Sequence, residues 1–216
     1  MSTELARRQM VEQQIRTWEV SDVEVLEAFL SVPREAFVPK GFIHVAYADT
    51  EIPLPHRQCM LRPNIVGRVL QALDIDAGDD VLEIGTGTGY LTACLASVAS
   101  SVTSIDLYDD FVTAAEKRLA EFDIDNVTLH CMDAMIELPP GEFDAIAVTG
   151  AVEEVGQRFT QALKPGGRLF IVVGTSPVMH AMLISRTNDG EEAAEILFET
   201  DIPPLVSAAK PPVFSF

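Results

Sequence analysis

Apolar positions along this chain recur first at helical spacing and then in short blocks that alternate between strand and helix. Residues 4–16 suit a helix, with Val11 and Ile15 one turn apart. Ser21 and Glu24 stand at capping-box spacing ahead of Val25, Leu26, Phe29 and Leu30, which pair at i,i+4, and Pro33 closes this second helix. The polar, Pro-rich segment from Phe37 to Met60 reads as a loop with short extended pieces. Pro63 suits the first turn of a third helix, in which Ile65, Val66, Val69, Leu70 and Leu73 make one apolar face.

Beyond this point the period switches. DDVLEIG predicts a strand and YLTACLASVA a helix, SVTSID a strand and DDFVTAAEKRLAEF a helix. NVTLHC and FDAIAVTG predict two more strands, EEVGQRFTQAL a helix, KPGG a turn and RLFIVVG a fifth strand. Strands near 180–186 and 194–200 complete a seven-stranded sheet. Strand–helix alternation of this kind implies right-handed crossovers, hence an α/β, doubly wound, mostly parallel sheet with N-terminal helices. One domain is expected over 1–216, with residues 1–60 a helical N-terminal extension packed on the core.

Composition narrows the function. The chain carries 15 Lys+Arg against 33 Asp+Glu, a formal charge of −18. Such a chain is repelled by phosphate backbones and anionic membrane faces, so neither nucleic acid nor membrane is an expected partner. The acidic surface is more simply a solvated one. No run approaches the roughly 20 apolar residues of a membrane span, and the N-terminus lacks an apolar leader. A cytoplasmic location is the expectation. Cys59, Cys94 and Cys131 form no CxxC pair, which suits a reducing compartment. His44, His56, His130 and His180 show no ligand spacing, so no metal is expected.

Candidate chemistry centres on Glu83-Ile84-Gly85-Thr86-Gly87-Thr88-Gly89-Tyr90, where a strand meets a helix. Open α/β sheets bind ligands at this place. Glycines let the backbone lie against a ligand, and loop amides with the helix N-terminus supply donors. A dinucleotide fingerprint requires a third glycine at position 90, which is Tyr90; the pattern is GxGxG, similar to that of S-adenosylmethionine methyltransferases. Asp106 ends the next strand, 21 residues after Gly85, where a carboxylate can accept both ribose hydroxyls. Asp133 ends the third, in position for an adenine amino group. Either acid alone is more often a helix cap or a solvated loop residue.

MVEQQIR, VLEAFLSVPREAFVP, AYAD, VLEIGTGTGY, FDAIAVT and QALKPGG together resemble the protein-L-isoaspartate O-methyltransferase family over most of the chain. The resemblance implies a Rossmann-like methyltransferase fold with the order of the last strands altered. It also implies S-adenosylmethionine as cofactor, S-adenosylhomocysteine as product, and a protein or peptide carboxylate as acceptor in the repair of damaged proteins. It adds Leu107, Met132 and Ala134 to the cofactor site, and places acceptor groups near Thr149 and Gly150. Ile202-Pro203-Pro204-Leu205 resembles a short C-terminal element of the family that helps bind peptide; an apolar tail covering the sheet edge is the alternative.

One departure lies in the acceptor segment. The family's Gln, Thr-Ile-Ser, Gln-Pro is here Gln58-Cys59-Met60-Leu61-Arg62-Pro63. The family's active-site serine falls on Leu61, its threonine on Cys59, and the following glutamine on Arg62, so Gln58, Cys59 and Leu61 are the candidate catalytic positions. Arg57 and Arg62 either grip a different, small anionic acceptor or are solvated. A cofactor-binding protein without isoaspartyl activity is a third reading. His56 is expected to be a solvent-exposed loop residue, and Cys59 a packing residue.

Overall fold

A computed structural model describes residues 3–208. Helix α1 (Thr3–Met10) does not run on to residue 16 as a regular helix: it widens into a π turn at Val11–Ile15 and tightens into a 3₁₀ turn at Arg16–Trp18. That irregular stretch turns Met10, Val11 and Ile15 together into the core. Helix α2 (Val23–Ser31) is capped by Asp22, whose carboxylate accepts from the amides of Glu24 and Val25, and not by Ser21. The Ser21 amide instead donates to Gln71 Oε1, on the helix that begins at Pro63. Val25, Ala28 and Phe29 form the buried stripe of α2, whereas Leu30 is exposed.

A one-turn helix, α3 (Arg34–Phe37), leads through a 3₁₀ turn to the hairpin β1 (Ile52–Pro53) and β2 (Cys59–Met60). Helix α4 (Pro63–Leu73) starts on its proline and buries all five residues of its predicted apolar face. The alternating half then follows: β3 (Asp80–Ile84), α5 (Tyr90–Ala96), β4 (Ser101–Asp106), α6 (Asp109–Glu121) and β5 (Val127–Cys131). Strand β6 (Phe143–Val152), α7 (Gln157–Gln161), β7 (Leu163–Thr175), β8 (Val178–Arg186) and β9 (Glu192–Thr200) complete it. Helix α7 is shorter than the apolar pattern predicts, because Gly156 is extended (ψ 133) and the acidic residues before it stay outside the helix. The KPGG sequence is no turn between elements but a bulge within β7, where Phe143 pairs with Leu163 and the next pair is Ala145 with Arg168.

The sheet has seven strands in the order β5-β4-β3-β6-β7-β8-β9. Pairs from β5 through β7 are parallel, and β8 and β9 add antiparallel hairpins. The chain leaves β3 toward β5 and returns to β6 on β3's other side, so the switch point lies between β3 and β6, where open sheets bind ligands. Side chains alternate across β3: Val81 faces the N-terminal helices, Leu82 and Ile84 the opposite layer. Met10, Ile15, Phe29 and Phe37 share one core with the helix that follows the glycine loop.

Trp18 is the only tryptophan and lies in the N-terminal region, so its fluorescence reports that region while far-UV circular dichroism reports the whole chain. Urea unfolding is expected to give coincident midpoints by the two probes. Phe29→Ala, which empties a fully buried position, is expected to lower stability by about 3–5 kcal/mol in both. A separate, earlier fluorescence transition would show that the N-terminal helices fold as their own unit.

Candidate active site

Glu83 points from the middle of the sheet into a fully buried polar cluster. Its Oε2 accepts from Thr92 Oγ1 at 2.5 Å and Ser104 Oγ at 2.6 Å, and Ser104 in turn meets Thr86 Oγ1 at 2.6 Å. Its Oε1 is buried and has no partner. Burial pushes this carboxyl up to about 8; the two hydroxyl donors pull it down, and the Asp106 charge adds a smaller upward push.

The loop after β3 turns with Gly85 at φ 102° and Gly87 at φ 52°. A Cβ on Gly85 would stand 2.2 Å from Thr149 Oγ1, so this position admits no side chain. Thr149 uses that hydroxyl to donate to the carbonyls of Ile84 (2.9 Å) and Gly85 (3.1 Å), welding the end of β6 to the glycine turn. The Gly87 amide donates to Asp106 Oδ2 at 2.8 Å, and the Tyr108 amide to Oδ1 at 3.0 Å. Asp106 is buried, and desolvation raises its pKa despite these donors. After β5, Asp133 accepts from the Met135 amide at 2.9 Å and from Ser207 Oγ at 2.6 Å.

These strand ends surround one cleft enclosing ≈ 980 Å³, part of it open solvent. Glu83, Gly85, Thr86, Gly87, Thr88 and Tyr90 line it from the first strand end, Asp106 and Leu107 from the second. Met132, Asp133 and Ala134 line it from the third, Thr149 and Gly150 from β6, and Gln58, Cys59 and Leu61 from the hairpin side. Gly89 lies outside, backed against Ala115 as the N-cap of α5. Arg62 also lies outside, its Nε 3.6 Å from Glu51. Three carboxylates face the cleft and, among the described residues, no lysine, arginine or histidine does.

Several lining residues escape the sequence pattern. Leu54 reaches over the glycine loop from the hairpin, and Tyr108 and Phe111 close the side beyond Asp106. Pro203 and Leu205 are there because the C-terminal segment pairs with β6: the Ala151 amide donates to Pro203 O at 3.0 Å and the Leu205 amide to Ala151 O at 2.9 Å. No local periodicity marks these contacts, though the Ile-Pro-Pro-Leu run draws notice to that segment. His56 is exposed as expected but not without partners: its Nε2 lies 3.0 Å from both carboxylate oxygens of Asp110, and its ring stacks on Tyr108. Cys59 is half-buried, and burial with the nearby Glu51 pushes its thiol up to about 12, so no thiolate forms there near neutral pH.

A doubly wound sheet with a cleft at its switch point, floored by a GxGxG turn, defines a Rossmann-like protein of the methyltransferase type. The chain belongs to the protein-L-isoaspartate(D-aspartate) O-methyltransferase family, whose pattern it matches over residues 5–210. It is 35% identical to the protein-L-isoaspartate O-methyltransferase of Brucella anthropi over 193 residues, 89% of this chain and 88% of that one. It is 38% identical to the Pseudomonas paraeruginosa enzyme of the same name, over 88% of this chain and 90% of that one. A Plasmodium falciparum protein, solved in complex with S-adenosyl-L-homocysteine, shares the fold with a TM-score of 0.78 at 20% identity, over 92% of this chain and 97% of its own.

Because folding lifts Glu83 from its usual 4.5 to about 8, the folded protein holds a proton that the unfolded chain releases across that window. The stability this contributes is complete below about pH 4.5 and lost as pH rises through about 8. The melting temperature of the ligand-free protein is expected to fall from pH 5 to 8, and Glu83→Gln to flatten that fall. A slope unchanged in the variant, in parallel melts at four pH values, would assign it to other groups.

Proposed function

We propose that this chain transfers a methyl group from S-adenosylmethionine to a carboxylate, with the isoaspartyl carboxylate of damaged proteins as the acceptor class its family indicates. The observation that carries the reading is a strand-end cleft faced by Glu83, Asp106 and Asp133 and, among the described residues, by no cationic side chain. S-adenosylmethionine carries a sulfonium and an ammonium, so an acidic cleft complements it. The orphaned, buried Oε1 of Glu83 fits the same ligand, since a buried polar atom without a partner costs free energy until one arrives. Asp106 keeps acceptor capacity for ribose hydroxyls after taking the Gly87 and Tyr108 amides, and Asp133 for an amino group. When bound, the cofactor supplies an activated methyl group.

The rest of the reaction needs little chemistry from the chain. A carboxylic acid has a pKa near 4, so the acceptor arrives ionised and no base is required. The hairpin side of the cleft supplies none: Gln58 and Leu61 do not titrate, and the Cys59 thiol stays protonated. What the residues do is hold and align reacting atoms and exclude water, where orientation alone is worth roughly 7–11 kcal/mol. Leu61 gives no hydroxyl to the acceptor, and the Thr149 hydroxyl is spent on backbone carbonyls. Isoaspartyl methylation is therefore weak in this chain. A second reading, a smaller carboxylic acid as acceptor, is favoured by the apolar wall that Met60, Leu61 and Leu205 present to the cleft. A reducing, cytoplasmic setting suits its unpaired cysteines.

Asp106→Ala is expected to weaken S-adenosylhomocysteine binding by roughly 1.5–3 kcal/mol in calorimetry, the range for charge-assisted hydrogen bonds, while NAD gives no micromolar binding in the same cell. Unchanged affinity in the variant would sink the ribose assignment.

Leu61→Ser is expected to raise methylation of an isoaspartyl peptide, over its aspartyl twin, by about 10-fold or more, the equivalent of one hydrogen bond. A wild-type rate equal to that of a serine-bearing relative, run side by side, would show that the hydroxyl is dispensable. Methylation of neither peptide by either form, with cofactor binding intact, would favour the smaller acceptor.

A further inference from the structure

The hairpin that carries the acceptor segment is fastened at two places of different character. Its exit is anchored in the core, where fully buried Arg34 donates through Nη2 to Leu61 O at 2.7 Å. Its tip is held at the surface by His56. There the imidazole lies parallel to the Tyr108 ring, centroids 3.8 Å apart and planes 6° from parallel, and meets Phe111 edge-on at 5.4 Å. Its Nε2 sits 3.0 Å from both oxygens of Asp110. His56 and Arg57 hold successive left-handed conformations, φ 58° and 60°, which L-residues adopt only when their surroundings impose them.

This tip does not close on an indifferent surface. Tyr108 caps α6 and follows Asp106 by two residues, and both Tyr108 and Phe111 line the cleft. Leu54, two residues before His56, comes within 3.8 Å of where a Cβ on Gly87 would stand. The same hairpin then runs on through Gln58, Cys59 and Leu61. A single piece of chain thus covers the glycine loop and forms the acceptor wall, with one end buried and the other clasped in solvent, where the His56 and Asp110 side chains are 36% and 57% exposed.

We propose that His56 is a positioning residue, the clasp that shuts the hairpin over the cofactor cleft and brings the acceptor segment into place as it shuts. Opening the stack and hydrogen bond at the tip lets the hairpin swing about its Arg34 anchor, so cofactor exchange and assembly of the acceptor wall are one motion. This rests on the cofactor reading above.

The test is the release of tritiated S-adenosylhomocysteine chased with excess unlabelled ligand, in the full chain and three variants. His56→Ala, which removes both stack and hydrogen bond, is expected to release about tenfold faster. His56→Phe restores the stack and is expected to recover most of the slow release, and Asp110→Asn to fall between. Melting temperatures of the ligand-free variants are expected to stay within about 2 °C of wild type, because the clasp is half exposed. Wild-type release from His56→Ala overturns the clasp. So does an acceleration that His56→Phe does not reverse, since a general loosening would cause it. A wild-type chain that retains no S-adenosylhomocysteine overturns the cofactor reading together with the clasp.

Discussion

A buried guanidinium holds this molecule's parts in register. Arg34 is completely enclosed, faces no carboxylate, and lies over the Tyr90 ring at 4.8 Å. It donates through Nε to Ala46 O at 2.9 Å and through Nη2 to Leu61 O. Burial lowers its pKa, yet arginine stays charged in proteins, so its charge is held by carbonyl dipoles and the face of an aromatic ring. Three segments meet at this one side chain: the N-terminal helices that carry it, the acceptor segment it grips, and the helix that Tyr90 begins. Phe29 and Phe37 pack edge-on to the same tyrosine at 6.2 and 5.8 Å. A third glycine at position 90 would leave that aromatic nest empty, which gives the GxGxG spacing a packing reason in this chain.

The site built on this frame divides its electrostatics. Carboxylates stand at the ends of β3, β4 and after β5, one in a dry hydroxyl cluster and two held by backbone amides. Fixing acids this way keeps them from collapsing onto lysine or arginine, and two hairpin side chains find partners outward, Arg62 with Glu51 and His56 with Asp110. The acceptor side is left nearly neutral and apolar. Alignment within a dry cleft, more than proton transfer, is what such an arrangement can contribute to a methyl displacement.

Much of the architecture was legible in the sequence, since strand and helix periods are local and strong. All seven sheet strands, the start of α4 on Pro63 and its five-residue apolar face follow from spacing alone. So do the glycine loop and the acids at 83, 106 and 133, because a ligand-binding edge places its chemistry at strand ends that hydrophobic blocks mark. Family likeness, carried by the segments before that loop, singled out Gln58 to Leu61.

What only the tertiary structure decided depends on contacts between residues far apart in the chain. Asp22 caps α2 in place of Ser21, and Gln71, on another helix, accepts from the amides of both residues. KPGG is absorbed into β7 as a bulge because β6 alongside continues the ladder across it. His56 looks like a loop residue until α6 brings Tyr108 and Asp110 beneath it, 52 and 54 residues away. Leu205 enters the cleft only because its amide pairs with Ala151. Arg34, one charge within an otherwise ordinary helical turn, gains its place when Leu61 and Tyr90 converge on it. Local pattern specifies which elements form and which face each buries; the partners of single polar groups depend on distances that exist only once the chain has closed on itself.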